Sequence, residues 1–124
     1  MSVEGLSVMA KEITIEWCVS PFEHAKYTLF TSRKKMLKAG FEPINTDAPA
    51  ATHFYDDEKI VVLLDKKADV TDSEKVALLV HESVHVWQEI RKRMGEKEPS
   101  SEFEAYSVQS IFLGLLSLYQ EGKQ

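Results

Sequence analysis

The clearest hydrophobic pattern in the chain runs from Asp72 to Met94. Thr71 and Glu74 form a capping-box pattern before it, and Gly95 follows it as a left-handed stop. The spacing predicts an α-helix over this segment. Projected at about 100° per residue, its large apolar side chains fall on one broad arc: Val76, Leu79, Val80, Val86, Trp87, Ile90 and Met94.

A second helical pattern follows a polar loop that ends at Pro99 and Ser100. From Ser101 to about Gln120, apolar residues again recur at helical spacing. The sequence therefore predicts two consecutive helices in its C-terminal half.

The N-terminal half has shorter patterns. Residues Glu12 to Val19 alternate between apolar and polar, which predicts a half-buried strand. Pro21 is expected to open a helix that continues to Ala39 and stops at Gly40.

Beyond Gly40, the sequence predicts a loop and then a hairpin. The loop spans Phe41 to Ala50, and the two strands are Thr52 to Tyr55 and Ile60 to Leu64. The predicted order is one strand, one helix, two strands and two helices. This order favours an α+β fold with a small antiparallel or mixed sheet.

Composition limits the size and surroundings of the protein. With 124 residues, of which 44% are hydrophobic, we expect a single domain over residues 1–124. A net charge of −5 argues against a nucleic-acid partner. The single cysteine, Cys18, rules out an internal disulfide and suits a reducing cytosol. Residues 1–10 do not resemble a signal peptide, and no apolar run reaches the roughly 18 residues of a membrane span. We therefore expect a cytoplasmic protein without membrane contact.

The chemistry is concentrated in residues 81–85, which read His-Glu-Ser-Val-His. On a helix, residues four apart lie on one face, so His81 and His85 can bind one metal ion. Glu82 would lie beside that ion, where a carboxylate can accept a proton from water. Both histidines lie opposite the apolar arc, so neither is expected to be a core histidine. The alternative is a chance pair of surface histidines.

A catalytic zinc site needs a third protein ligand, and the second helix offers one. Glu104 lies on the same side of that helix as its apolar residues, and a carboxylate there requires a partner. Two alternatives stay open. Glu104 could close a capping box with Ser101, or Glu102 could be the ligand.

These residues carry a family resemblance. An H-E-x-x-H run with a helical glutamate nineteen residues after His85 resembles the zincin metallopeptidases of the gluzincin type. Residues 102–106, Glu-Phe-Glu-Ala-Tyr, resemble a segment of the ImmA/IrrE-like proteases and of small peptidase-like proteins of phages and prophages. The resemblance covers about residues 72–116. It implies a zincin-like fold in which His81, His85 and Glu104 bind zinc and Glu82 is the catalytic acid/base.

One position departs from the pattern of the thermolysin-like members. They carry an aspartate four residues after the ligand glutamate, and this chain has Val108 there. The residues that orient the zinc ligands must therefore come from elsewhere.

The resemblance also implies that Thr52 to Tyr55 is a sheet-edge strand that holds an extended substrate. His53 and Tyr55 share one face of that strand, and either could contact the substrate or its developing oxyanion. The alternative is that both are ordinary solvent-facing residues of a hairpin.

The sequence thus predicts zinc-dependent hydrolysis of peptide bonds in a restricted protein or peptide substrate. A second hypothesis is a catalytically weak or inactive metal-binding module that acts through a protein partner. A third is a helical interaction protein with a coincidental motif, whose C-terminal helix could form a dimer face. The protein would be a monomer or a homodimer.

Overall fold

A computed structural model describes residues 15–20, 25–44, 47–56 and 58–122. Within this part of the chain, four strands and three helices are formed. The strands are β1 (Cys18–Val19), β2 (Lys26–Phe30), β3 (Ala50–Phe54) and β4 (Lys59–Leu64); the helices are α1 (Arg33–Lys38), α2 (Asp72–Met94) and α3 (Ser101–Glu121).

The four strands form one mixed sheet in the order β1-β2-β4-β3. Strand β2 pairs parallel with β4, whereas the β1–β2 and β3–β4 pairs are antiparallel. The predicted α+β class with a small mixed sheet is therefore confirmed, and so is the β3–β4 hairpin. Strand β3 lies at one end of the sheet, next to β4 alone.

The central strand β4 has side chains buried on both faces of the sheet. Ile60, Val62 and Leu64 pack against α2 and α3 in the larger core cluster. Val61 and Leu63 point to the other face and pack in a smaller cluster. Further members of the smaller cluster and residues packed against it come from other elements: Trp17, Phe30, Met36, Phe41 and Tyr55.

The predicted helix from Pro21 to Ala39 is wrong. Residues 21–24 lie outside the described part, residues 26–30 form β2, and only the six residues of α1 are helical. The four residues from Tyr27 to Phe30 are all buried. A strand buried on both faces does not alternate between buried and exposed residues, so its period cannot distinguish it from a buried helix. The predicted end is nearly right, since α1 stops at Lys38 and Gly40 has φ 94°.

The predicted first strand is much shorter in the structure. Only Cys18 and Val19 are paired, with Tyr27 and Lys26 of β2. Residues 15–17 are not in a strand, and residues 12–14 of that prediction lie outside the described part.

Helix α2 spans Asp72–Met94 as predicted. Thr71 accepts from the Glu74 amide, the Glu74 side chain accepts from the Thr71 amide, and Gly95 has φ 73°. The apolar arc is less uniform than the pattern suggests. Leu79, Val86, Trp87 and Ile90 are buried, whereas Val76 and Val80 are 39% and 44% exposed.

Helix α3 begins at Ser101, as predicted, and ends one residue later than expected. Its N-cap is Ser100, whose hydroxyl accepts from the Phe103 amide. The capping box between Ser101 and Glu104 is therefore not formed, so that alternative for Glu104 is wrong. Among the described residues, no helix is both long enough and apolar enough to cross a membrane.

Candidate metal and catalytic site

His81 and His85 lie side by side on the exposed face of α2. Their Nε2 atoms are 3.1 Å apart, and the two rings meet edge to face with centroids 4.8 Å apart. Both side chains are exposed, as expected from their position opposite the apolar arc. The helix thus presents two imidazole nitrogens to solvent at one point.

Gln88 determines which nitrogen of His85 is available. Its Oε1 lies 3.0 Å from Nδ1 of His85. An amide oxygen only accepts, so in this contact the Nδ1–H of His85 is the donor. Nε2 keeps its lone pair and points toward His81, which is the arrangement found in metal-binding histidines whose second ring nitrogen donates to an oxygen.

Glu82 lies on a different side of α2 from the histidines, against the sheet. It is only 5% exposed, and its Oε1 accepts a hydrogen bond of 2.7 Å from the hydroxyl of Thr52 on β3. A buried carboxylate needs such donors, because its desolvation is otherwise unfavourable. Glu82 therefore faces the interface between α2 and the edge strand.

Glu104 contacts a residue other than the histidines. Its Oε2 accepts a hydrogen bond of 2.9 Å from Nε1 of Trp87, a side chain that is 1% exposed. Trp87 lies about 200° around the helix from His85, so this contact is on the far side of α2. Phe103 packs edge to face on the same indole at 5.6 Å.

The structure thus brings His81 and His85 together but does not bring Glu104 to them. Within the described ranges, no group of three or more His, Cys, Asp or Glu residues is arranged to hold a metal ion. Glu102 is exposed on the first turn of α3. The role of Glu104 as third ligand stays a prediction.

His53 lies on the opposite face of β3 from Thr52, because successive residues of a strand alternate. Tyr55 follows the last residue of β3 and packs on the same side as His53. His53 is buried, accepts from the Ile44 amide at Nε2 and donates from Nδ1 to the Val61 carbonyl, both at 3.1 Å. Burial lowers the pKa of its imidazole. These contacts occupy both ring nitrogens and direct His53 away from Glu82.

The Tyr55 side chain lies in the same layer as His53. Its ring packs on Phe41, and its hydroxyl is 3.5 Å from the Glu42 carbonyl. Burial raises the pKa of the Tyr55 hydroxyl. The structure therefore places His53 and Tyr55, the residues expected to contact the oxyanion, on the side of the sheet away from Glu82.

Thr52 is the residue that the sequence analysis missed. The alternation of Thr52, His53, Phe54 and Tyr55 was a sufficient signal that two faces existed. It does not show which face meets α2, and His53 and Tyr55 prove to be on the face away from Glu82. The hydroxyl of Thr52 is the group that reaches Glu82.

Two cavities flank this region along α2. One, of about 410 Å³, is lined by apolar side chains of Pro49, Val70, Ala77 and Leu78, with Glu74 and His81 at its border. The other, of about 380 Å³, is lined by Tyr55, Asp56, Glu58, Glu89 and Arg93. The α2–β3 region therefore has an apolar end next to His81 and a charged end near the close of β3.

Arg93 joins α2 to the end of β3 at the charged cavity. Its Nη2 donates to the Tyr55 carbonyl at 3.0 Å, and its Nε pairs with Glu89 at 2.7 Å. Together with the contact between Thr52 and Glu82, this holds the edge strand along the helix.

Comparison of the chain with protein-family models, with curated proteins and with solved structures found no match. The geometry of α2 and β3 therefore carries the functional inference by itself.

Proposed function

We propose that this protein is a zinc-dependent hydrolase of peptide bonds, in which His81 and His85 bind the metal ion and Glu82 is the general acid/base. The observation that carries the proposal is the 3.1 Å separation of the two histidine Nε2 atoms. Two nitrogens bound to one tetrahedral zinc ion at about 2.0–2.1 Å lie about 3.3 Å apart. The separation of the two nitrogens therefore fits one ion, which would replace the proton between them.

The third ligand in this proposal is Glu104, on the helix that packs beside α2. Its Oε2 accepts from Trp87, which leaves Oε1 as the atom that would bind the metal. The zincin-like arrangement thus requires the Glu104 carboxylate to move from the Trp87 side of α2 toward the histidines, whereas the two histidine nitrogens are already close together.

A bound zinc ion would polarise the substrate carbonyl and lower the pKa of water to about 7. The proton chemistry belongs to Glu82. Thr52 donates to its Oε1, so we assign the other oxygen, Oε2, as the atom that takes the proton of the attacking water. Glu82 then passes this proton to the leaving amine.

The substrate would bind as an extended strand along β3. This strand ends the sheet, so its outer edge has no neighbouring strand within the described residues. Hydrogen bonds between the main chain of such an edge strand and that of a peptide bind the peptide independently of its side chains. The apolar cavity beside His81 could accept one apolar side chain and so restrict the choice of substrate.

A second candidate is a metal-binding module that acts through a protein partner without hydrolysis. The position of Glu104 on Trp87 favours it, because two histidines alone are an incomplete catalytic zinc site. Turnover separates the two candidates.

The test compares the parent protein with Glu82→Gln, both loaded with zinc, on those few members of a mixed peptide library that the parent cleaves. Glutamine keeps the size of the side chain and can still accept from Thr52, but it cannot accept the water proton. We expect equal zinc binding and a loss of hydrolysis of about 10² to 10⁴ in rate. Equal cleavage by both proteins would show that Glu82 is not the base.

The control for metal binding is the double variant His81→Ala/His85→Ala. It should lose tight zinc binding, measured by calorimetry with one equivalent expected for the parent in excess zinc. Full zinc occupancy in the double variant would show that His81 and His85 are not the zinc ligands. Casein should be cleaved little, and efficient cutting of many unrelated peptides would contradict a restricted substrate.

A further inference from the structure

We propose that the His81–His85 pair also binds a second copy of this chain, through one zinc ion shared between two α2 helices. The inference rests on the zinc binding proposed above and concerns the partner and the regulation of that site. Each copy would supply two imidazole nitrogens, and together they would complete the four ligands of a tetrahedral zinc ion.

The exposure of the pair makes it accessible to another molecule. Both histidines are exposed, and their Nε2 atoms are 3.1 Å apart. Gln88 holds His85 in the tautomer whose Nε2 lone pair is available. The pair lies in the middle of a helix of 23 residues, so a second long helix can cross it with contacts on both sides.

The charges on this face of α2 are self-complementary about the histidine pair. Glu74 lies seven residues before His81, and Lys92 lies seven residues after His85. Seven residues are about two helical turns, so all four side chains share one face. Glu74 and Lys92 are both exposed.

A two-fold axis that passes through the zinc ion perpendicular to α2 would make the two α2 helices antiparallel. Residues equally far from the centre of the pair then lie opposite each other. Glu74 of each copy would face Lys92 of the other, which gives two favourable charge pairs. A parallel crossing would place like charges together. The charge pattern therefore favours one orientation of one partner, a second copy.

The shared ion links this dimer to regulation. Four imidazoles leave no position for water on a tetrahedral zinc ion, whereas hydrolysis needs one. The bridged dimer would therefore be the inactive form. With zinc in excess each copy would bind its own ion, and the copies would separate.

The first test follows the mass of the protein by sedimentation velocity during a zinc titration. The chain alone is 14.1 kDa. We expect the mass to double near half an equivalent of zinc and to return to the monomer with excess zinc or with chelator. His81→Ala and His85→Ala should each abolish the zinc-dependent dimer. A monomer at every zinc ratio would overturn the proposal, as would a dimer that persists in both variants.

The second test reverses the charges. Lys92→Glu should weaken the zinc-dependent dimer about tenfold, because two favourable pairs become repulsive. The double variant Glu74→Lys/Lys92→Glu should restore it, and Glu74→Gln, which can still accept from the Thr71 amide, controls for the capping box that Glu74 closes. Lys38→Glu, which makes the same charge change on α1, is the matched control and should have no effect. Circular dichroism checks that each variant is folded. Equal weakening by Lys92→Glu and Lys38→Glu would overturn the antiparallel arrangement.

These outcomes separate this inference from the proposed hydrolase. If one zinc ion binds per monomer at every ratio of zinc to protein, the shared site is wrong, but the proposed hydrolase is not affected. A histidine-dependent dimer without any hydrolysis supports the shared site and contradicts the hydrolase. Absence of zinc binding overturns both.

Discussion

The hydroxyl of Thr52 donates a hydrogen bond of 2.7 Å to Oε1 of Glu82. The two residues are thirty positions apart in sequence, and their contact attaches the edge strand β3 to the middle of helix α2. It also orients the carboxylate that the proposed reaction needs. One hydrogen bond therefore joins the packing of the sheet edge to the carboxylate of the proposed site.

Removing this donor should destabilise the fold. Thr52→Val keeps the shape of the side chain but leaves a carboxylate that is 5% exposed without this partner. We expect a loss of about 1–3 kcal/mol in the free energy of unfolding, measured by urea denaturation. Thr52→Ser keeps the hydroxyl and should lose less. The contact would be energetically unimportant if the valine variant were as stable as the parent.

The two glutamates at the start of α3 should differ in their effect on zinc. Glu104→Gln removes the charge but keeps an oxygen that can accept from Trp87. We expect zinc affinity, measured by competition with a chromophoric chelator, to fall at least about tenfold. Glu102→Gln is the matched control on the exposed side and should leave the affinity unchanged. Equal affinities for both variants would remove Glu104 from the ligand set.

Gly114 is predicted to be a position where a methyl group is not tolerated. A Cβ there would lie 2.8 Å from the Tyr27 hydroxyl oxygen and 3.0 Å from Sγ of Cys18. Tyr27 is 3% exposed and cannot move away easily. Overpacking typically costs about 1–3 kcal/mol, against a gain of about 1 kcal/mol in helix propensity. We therefore expect Gly114→Ala to lower the free energy of unfolding overall.

The cause can be tested in a second background. Tyr27→Phe removes the hydroxyl, so Gly114→Ala should cost less there than in the parent. Ser117→Ala, on the exposed side of α3, is the control and should be neutral or slightly stabilising. An equal cost of Gly114→Ala in both backgrounds would show that the Tyr27 hydroxyl is not the obstacle.

His53 should make stability depend on pH. Burial lowers its pKa in the folded protein, so the unfolded chain binds the proton more readily. The contribution of neutral His53 is complete above the unfolded pKa of about 6.5 and is lost as the pH falls from there toward the folded pKa. Urea midpoints should therefore drop between about pH 7.5 and pH 5. The drop should be smaller in His53→Gln, and an equal drop in that variant would assign it to other groups.

Local signals predicted helix α2 and the histidine pair in full. A capping box, a left-handed glycine and an apolar period all act within one or two turns, so the segment from Asp72 to Met94 specifies its own ends. His81 and His85 are adjacent for the same reason, because residues four apart on any α-helix share a face. No other part of the chain is needed for that geometry.

The short buried elements needed the rest of the molecule. The segment from Tyr27 to Phe30 is a strand because it pairs with β4 and is covered on both faces, and its own apolar run does not distinguish a strand from a helix. A mixed sheet was among the predicted possibilities. The parallel pairing of β2 with β4 depends on the strand order of the sheet, which the sequence pattern does not show.

Sequence alone therefore determined the helix that carries the site and the two imidazoles that could bind an ion. The tertiary structure decided which groups those residues contact: Thr52 beside Glu82, Trp87 beside Glu104, and a position for His53 on the far face of the sheet. The physical reason is the distance along the sequence over which each interaction acts. Helical spacing and capping depend on neighbouring residues, whereas the partner of a buried polar group is set by how distant strands and helices pack.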